Sequence, residues 1–127
     1  MGIRIAVIDE SISFRQYIVG KLVREMDFYL ALETSGCFGL VNNSELLIDV
    51  LLIDIICLNK IQIQLPKYFG TRFKIIGYSQ FQICSLQELS YPNVKSIIDI
   101  EDIEADLGKI IRIVNEGGFF LPERAAK

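Results

Sequence analysis

Acidic and hydroxyl side chains stand at or just after the ends of several apolar runs in this chain of 127 residues. If those runs are strands of one parallel sheet, the side chains gather at a single edge of it. Neighbouring carboxylates repel each other, so such a group favours a hard cation such as Mg²⁺ or a shared proton. The most informative residue is Asp54, because a carboxylate after four apolar residues rarely belongs to a core. The full set is Asp9, Glu10, Asp54, Ser79 and Asp99.

Five short apolar runs predict the strands that would position these side chains. Apart from one aspartate, the third run is apolar on both faces, which is typical of a central parallel strand covered on both sides. The runs are Ile3–Ile8, Phe28–Glu33, Val50–Ile56, Lys74–Tyr78 and Val94–Ile98.

Helical patterns lie between and after the runs. A first helix is predicted from Ser11 or Ser13, either of which can cap it, to about Glu25, because apolar residues recur there every four positions. The last helix is the clearest, with an apolar stripe and a glycine pair at its end: Ile103, Leu107, Ile110, Ile111 and Val114, then Gly117 and Gly118. The less regular stretches are Gly36–Asp49, a poor helix candidate; Leu58–Arg72, which is ambiguous; and Gln82–Leu89, a short helix candidate.

This alternation of strands and helices predicts an α/β fold with helices on both faces of a parallel sheet. The leading architecture is a flavodoxin-like (βα)₅ three-layer sandwich whose five-stranded parallel sheet has the order 2-1-3-4-5. Ligands of such folds bind where the strand order reverses, between the carboxyl ends of the first and third strands. The sequence places Asp9, Glu10 and Asp54 at that point.

Composition excludes several classes of function. Thirteen basic and sixteen acidic residues give a net charge of −3 and a pI near 4.9, so we expect no global attraction to nucleic acid or an anionic membrane. The chain has no histidine, which excludes catalysis and metal ligation by imidazole. Three widely spaced cysteines, Cys37, Cys57 and Cys84, predict reduced thiols. The most apolar run is too short to span a membrane, so we expect a soluble, cytoplasmic protein.

Four segments carry a resemblance to a known family: IAVIDES at Ile5–Ser11, DVLLIDI at Asp49–Ile55, KIIGYS at Lys74–Ser79 and IIRIVNEGGFFLPE at Ile110–Glu123. Over nearly its whole length the chain resembles the receiver domains of bacterial response regulators. Its last segment is similar to receivers that precede a helix-turn-helix domain in regulators of the LuxR/NarL type. The resemblance implies a domain of two-component signalling that regulates transcription.

The resemblance also implies roles for the acidic edge. Asp9 and Glu10 would bind Mg²⁺, with Asp54 as the third acid of the metal site. Asp54 would accept a phosphoryl group from a histidine kinase, and Ser79 would hydrogen-bond a phosphoryl oxygen and trigger the switch. Each residue also has a structural alternative: a strand-end carboxylate for Asp54, a helix-capping pair for Asp9 and Glu10, and an ordinary strand-end hydroxyl for Ser79.

The chain departs from the family pattern at several positions. The family needs a lysine at the end of the fifth strand to pair with the phosphoryl oxygens, and by spacing Asp99 stands there. An anion in place of a cation removes a charge-assisted bond and adds repulsion near a phosphoryl dianion. Ser96 occupies the place of the usual aromatic switch residue, and the loop at Cys57–Lys60 lacks the glycine that lets it turn tightly. We therefore expect an atypical or pseudo-receiver with weak Mg²⁺ binding.

The missing cation leaves alternatives open. Asp99 is either an inert surface acid or a fixed negative charge that holds one conformation permanently, much as added phosphate charge orders a loop. Lys60 and Lys95 are candidate replacements for the lysine, although neither stands at the right strand end.

Apolar residues around the last helix predict a partner-binding face, and we expect a homodimer. Ile100 and Ile113 belong to it, and the run Phe119–Leu121 either joins it or covers the sheet edge. Residues 1–122 form the predicted receiver-like domain, and residues 123–127 read as the start of a linker or tail. DNA binding would therefore need a separate effector domain that is absent from this chain.

We expect a regulatory domain that is not an enzyme and that acts through dimerisation or partner binding without normal aspartate phosphorylation. One alternative is a functional phosphoreceiver, in which Asp54 takes a phosphoryl group from a histidine kinase. Another is a small flavodoxin-like binding protein or enzyme unrelated to signalling. That class favours a glycine-rich phosphate loop after the first strand, where this chain has two anions instead.

Overall fold

A computed structural model of the chain describes residues 2–36, 47–61, 74–80 and 94–119, without the side chains of residues 59–61. The elements in chain order are β1 (Ile3–Ile8), α1 (Ile12–Leu22), β2 (Phe28–Thr34), β3 (Val50–Asp54), α2 (Ile55–Ile61), β4 (Lys74–Tyr78), β5 (Val94–Ile98) and α3 (Ile100–Asn115). No helix within the described ranges is both long enough and apolar enough to cross a membrane.

The five strands form one sheet in the order β2-β1-β3-β4-β5, and every neighbouring pair is parallel. The predicted flavodoxin-like fold and strand order are confirmed. All residues of β3 are buried, as the sequence predicts for a central strand between two layers of helices.

Successive residues of the central strand feed two apolar cores, one on each face of the sheet. Val50 and Leu52 pack with the apolar sides of α1 and α3. Leu51 and Ile53 pack with Cys57 and Leu58 of α2. Because a fully buried aliphatic side chain contributes roughly 1.5–3 kcal/mol, these two cores hold the strand ends, and thus the acidic edge, in fixed positions.

Both ends of α1 have local causes. The helix begins after Ser11, one of the two predicted caps, because Ser11 Oγ accepts a hydrogen bond from the backbone N–H of Phe14 at 3.3 Å. That bond satisfies one of the donors that a first helical turn leaves free. The helix ends at Leu22 rather than near Glu25, because the chain there enters a turn in which the N–H of Glu25 bonds to the carbonyl of Leu22 at 3.1 Å.

The junction between β3 and α2 corrects one strand prediction. The strand predicted at Val50–Ile56 ends at Asp54, and Ile55 and Ile56 belong to the helix that follows directly. The physical reason is that Asp54 Oδ2 accepts the backbone N–H of Ile56 at 3.2 Å, so the strand-end carboxylate satisfies a donor of the first helical turn. The stretch left ambiguous after Leu58 therefore begins as helix.

The last helix follows the predicted pattern. Its apolar stripe is buried, and it ends before Gly117, whose φ of 95° is a left-handed conformation that favours glycine. Several other predictions lie outside the described residues: the helix at Gln82–Leu89, most of Gly36–Asp49, the thiols of Cys37 and Cys84, the side chains of Lys60, Phe120 and Leu121, and the domain boundary after residue 122.

Candidate functional site

The carboxyl ends of four parallel strands bring the predicted site residues to one edge of the sheet. Glu10 is exposed there, and the negative charges of Asp9 and Glu10 both act on Asp54. The structure therefore brings the three predicted acids together. The other exposed fractions at this edge are 2% for Asp9, 7% for Asp54, 7% for Ser79 and 1% for Asp99.

Both carboxylate oxygens of Asp9 accept hydrogen bonds from the protein. Oδ1 accepts the backbone N–H of Ser11 at 2.8 Å, and Oδ2 accepts the hydroxyl of Tyr78 at 2.6 Å. The backbone carbonyl of Asp9 accepts a further bond from the guanidinium of Arg15, which also bonds to Glu33 at 3.0 Å. These contacts fix the position of Asp9 from three directions.

The sequence prediction missed Tyr78, the last residue of β4. Its side chain is fully buried, and its ring stacks on that of Phe14 in α1 with the ring centres 5.6 Å apart. Burial and the hydrogen bond to Asp9 raise the pKa of Tyr78 far above its ordinary value. The hydroxyl therefore keeps its proton and acts as the donor of the hydrogen bond. The available signal in the sequence was an aromatic residue with a hydroxyl group at the end of the strand, directly before Ser79.

Asp54 lies in the middle of the acidic edge. Burial raises the pKa of its carboxyl, and the negative charge of Asp9 raises it further, against the backbone hydrogen bonds from Cys57 and Ile56 that lower it. Burial and like charge both penalise the ionised form. The contact to Ile56 is the one expected if Asp54 is a structural carboxylate, hydrogen-bonded at a strand end. The raised pKa of its carboxyl is a separate property of this position.

The sheet also places two serines, one from the predicted site and one from the position of the usual aromatic switch residue. Ser79 is buried, and its backbone N–H bonds to the carbonyl of Ile98 at 2.9 Å, which joins the ends of β4 and β5. Tyr78 of β4 pairs with Asp54 of β3 in the register. Ser79 is the next residue of the chain, so it lies one position beyond Asp54 on the neighbouring strand. Ser96 is likewise buried, within β5.

Asp99 caps the last helix. Its Oδ1 accepts the backbone N–H groups of Glu101 at 3.0 Å and Asp102 at 3.4 Å, while Asp102 Oδ2 accepts the N–H of Asp99 at 3.0 Å. This reciprocal pair is a capping box. The reading of Asp99 as a surface acid is wrong, because the cap holds the side chain inside the protein with 1% of it exposed. Its reading as a fixed charge that holds one conformation stays a prediction.

The remaining candidates lie around this edge. Cys57 is buried, and burial raises the pKa of its thiol, which opposes a reactive thiolate. The Lys95 ammonium, a candidate replacement for the missing lysine, lies 5.2 Å from the ring centre of Phe119, which is 70% exposed. Ile100 and Ile113 of the predicted partner face are half-buried.

The acids do not form a ready-made metal centre. Among the described side chains there is no group of three or more Cys, Asp or Glu residues placed to hold a metal ion. Both oxygens of Asp9 already accept hydrogen bonds from the protein. Weak Mg²⁺ binding at Asp9, Glu10 and Asp54 stays a prediction.

Several solved structures are similar to this chain. The isolated REC domain of RcsB from Salmonella enterica serovar Typhimurium in the apo form superposes with a TM-score of 0.81 and 19% identity, covering 97% of this chain and 95% of that chain. The same REC domain in the presence of the phosphomimetic BeF₃⁻ gives 0.75 and 18%, covering 99% and 97%. This chain has the fold of the RcsB REC domain.

Longer RcsB structures match as well. One structure of the Salmonella typhimurium RcsB response regulator gives a TM-score of 0.78 and 19% identity, and covers 98% of this chain. This chain spans 65% of the length of that one. No family model and no curated protein matches the sequence.

Proposed function

We propose that this chain is a receiver-type regulatory domain of a transcription regulator, and that it acts through dimerisation or partner binding without normal phosphorylation of Asp54. The observation that carries the proposal is Asp99. It is held as a buried helix cap at the end of β5, where the resemblance to receivers calls for a lysine. A capping aspartate supplies none of the positive charge that a phosphorylated aspartate needs.

The electrostatics of the edge support the same proposal. Asp54 is buried beside Asp9 and near Glu10, and its raised pKa reports that one negative charge is already costly there. Phosphorylation would replace the single negative charge of the carboxylate with nearly two on the phosphoryl group. Without a lysine or a tightly bound cation to balance them, formation of phosphoaspartate is disfavoured.

The named structural neighbours suggest the partners. RcsB has been solved as dimers bound to DNA and as a complex with DNA. For this chain we propose a homodimer in the cytoplasm, with DNA contacted only through a separate effector domain. On this proposal the domain has no enzymatic activity of its own and no membrane partner.

Sedimentation velocity at several protein concentrations tests the proposal. We expect a concentration-dependent dimer whose dissociation constant is the same for the wild type and Asp54→Asn. We also expect it to be unchanged by Mg²⁺ with acetyl phosphate, a small phosphoryl donor. A dimer that forms only after treatment with the donor, and only in the wild type, would contradict the proposal. A monomer at every concentration would contradict dimerisation.

A functional phosphoreceiver is the second candidate. The observation that favours it is the position of Asp54, a buried carboxylate at the end of the central strand, with two other acids near it and Ser79 on the neighbouring strand. On this alternative a histidine kinase would be the partner. Mg²⁺ held by Asp9, Glu10 and Asp54 would supply the missing positive charge when bound.

A further inference from the structure

The side chain of Tyr78 crosses the end of the central strand to reach Asp9. In the register, Asp54 of β3 pairs with Tyr78 of β4, and Ile53 pairs with Ile8, the residue before Asp9. The three side chains therefore lie in a row across three strands, with Asp54 in the middle. Neighbouring strands are about 4.8 Å apart, so β4 and β1 are about 10 Å apart, which a tyrosine can bridge to a carboxylate but a shorter side chain cannot.

The hydroxyl of Tyr78 is held firmly in this position. The ring is fully buried and stacks on Phe14, which anchors it to α1. At 2.6 Å, the bond to Asp9 Oδ2 is short, as expected for a hydroxyl that donates to a charged acceptor. The other oxygen of Asp9 is fixed by the N–H of Ser11. Such bonds are stronger inside a protein than in water, because the surroundings screen them less.

We propose that Tyr78 is a positioning residue that locks Asp9 and keeps divalent cations such as Mg²⁺ off the acidic edge. Clustered carboxylates attract positive charge. At Asp9 the neutral hydroxyl of Tyr78 supplies a hydrogen-bond donor instead of a cation. The inference rests on the proposed function and deepens it, since it gives a structural reason why the cation required for phosphoryl chemistry would bind weakly.

Competition between the hydroxyl and a cation follows from coordination geometry. Mg²⁺ demands near-octahedral oxygen ligands at about 2.0–2.1 Å. On this proposal Asp9 meets that demand only by turning its carboxylate, which breaks the bond from Tyr78 and leaves a buried hydroxyl without its acceptor. Leaving a buried polar group unsatisfied costs enough to weaken cation binding about tenfold.

The substitution Tyr78→Phe tests the lock, because it keeps the ring and removes only the hydroxyl. The measurement is a titration with MgCl₂, followed by the amide NMR signals around Asp9 and Asp54. We expect the dissociation constant for Mg²⁺ to fall about tenfold or more relative to the wild type. The matched control is Tyr29→Phe, which removes a hydroxyl from a tyrosine that is 62% exposed on β2 and should leave the constant unchanged. A Tyr78→Phe variant that binds Mg²⁺ no more tightly than the wild type would overturn the proposal, as would equal tightening in the control.

A second measurement needs no variant and decides the question if Tyr78→Phe fails to fold. The hydroxyl proton of Tyr78 is followed by NMR in the wild type as MgCl₂ is added. The lock predicts that this proton signal disappears together with any shift of the Asp9 and Asp54 amides, or that both stay unchanged. If the amides shift while the hydroxyl signal persists, cation and hydrogen bond coexist and the lock is refuted. Neither measurement depends on phosphoryl transfer or on dimerisation, so this inference and the proposed function can fail separately.

Discussion

At the scale of single residues, burial and neighbouring charge govern what Asp54 can do. The residue is 7% exposed, and its carboxyl faces the negative charges of Asp9 and Glu10. Each of these effects favours the protonated form, and the pKa of Asp54 is accordingly raised from its ordinary value of 3.8. The folded protein therefore holds a proton on Asp54 at pH values where the unfolded chain has released it.

This shift predicts that Asp54→Asn stabilises the folded protein at neutral pH. Because the folded pKa is the higher one, the contribution of Asp54 to stability is greatest below pH 3.8. It declines as the pH rises through the folded pKa. The asparagine lacks this charge but keeps an oxygen that can accept the N–H of Ile56. We expect a melting temperature a few degrees above that of the wild type near pH 7–8, and a gap that closes in acid. Thermal unfolding of both proteins from acid to about pH 8 checks this prediction. A difference in melting temperature that does not depend on pH would contradict it.

The residues of the site show how far single positions could be predicted. Asp9, Glu10, Asp54 and Ser79 were predicted at one edge because strand ends can be read from hydrophobic runs. Tyr78 was missed because its role depends on side-chain reach across two neighbouring strands. A hydrophobicity pattern does not contain that information, since it records the face of a residue and not its partner.

At the scale of elements, side chains at the strand ends also start the helices. Ser11 caps α1, Asp54 accepts an N–H from the first turn of α2, and Asp99 caps α3. Asp54 and Asp99 thus stabilise the starts of helices. The resemblance to receivers implies the phosphoacceptor at the first of these positions and a lysine at the second. The sequence offered Ser11 or Ser13 as the cap of α1, and the structure uses Ser11. The capping role of Asp99 was not predicted, because the residue was interpreted only as standing in the place of the lysine of receivers.

The capping role of Asp99 predicts a specific order of stabilities. Asp99→Ala should lower the free energy of unfolding by about 1 kcal/mol, because the N–H groups of Glu101 and Asp102 lose their acceptor. Asp99→Asn is the matched control, since asparagine caps helices about as well as aspartate, and it should change the free energy by only a few tenths of that amount. Urea unfolding measures both. If the asparagine variant loses as much stability as the alanine variant, the negative charge and not the cap is what matters.

At the scale of the whole molecule, the fold was predictable because strands and helices alternate with distinct periods. The central strand was recognised from its apolar character on both faces, and right-handed crossovers left few possible strand orders. Element ends were less certain, as at Ile55 and Ile56, where a local hydrogen bond decides between strand and helix. The apolar pattern alone is compatible with either structure over such short distances.

The fold is shared with the RcsB REC domain at 18–19% identity. A helix-capping aspartate stands where the resemblance to receivers calls for a lysine, and a buried tyrosine holds Asp9. We propose that these two features disfavour phosphorylation in a domain with this fold, and hence that Asp54 is not used as a phosphoacceptor.

Intact-mass spectrometry tests that claim most directly. The folded wild type and the Asp54→Asn control are incubated with Mg²⁺ and acetyl phosphate, and the mass of each is recorded over time. We expect that neither protein gains the mass of a phosphoryl group. A phosphoryl adduct that forms on the wild type and is absent from the control would contradict it, and would establish a functional phosphoreceiver despite Asp99.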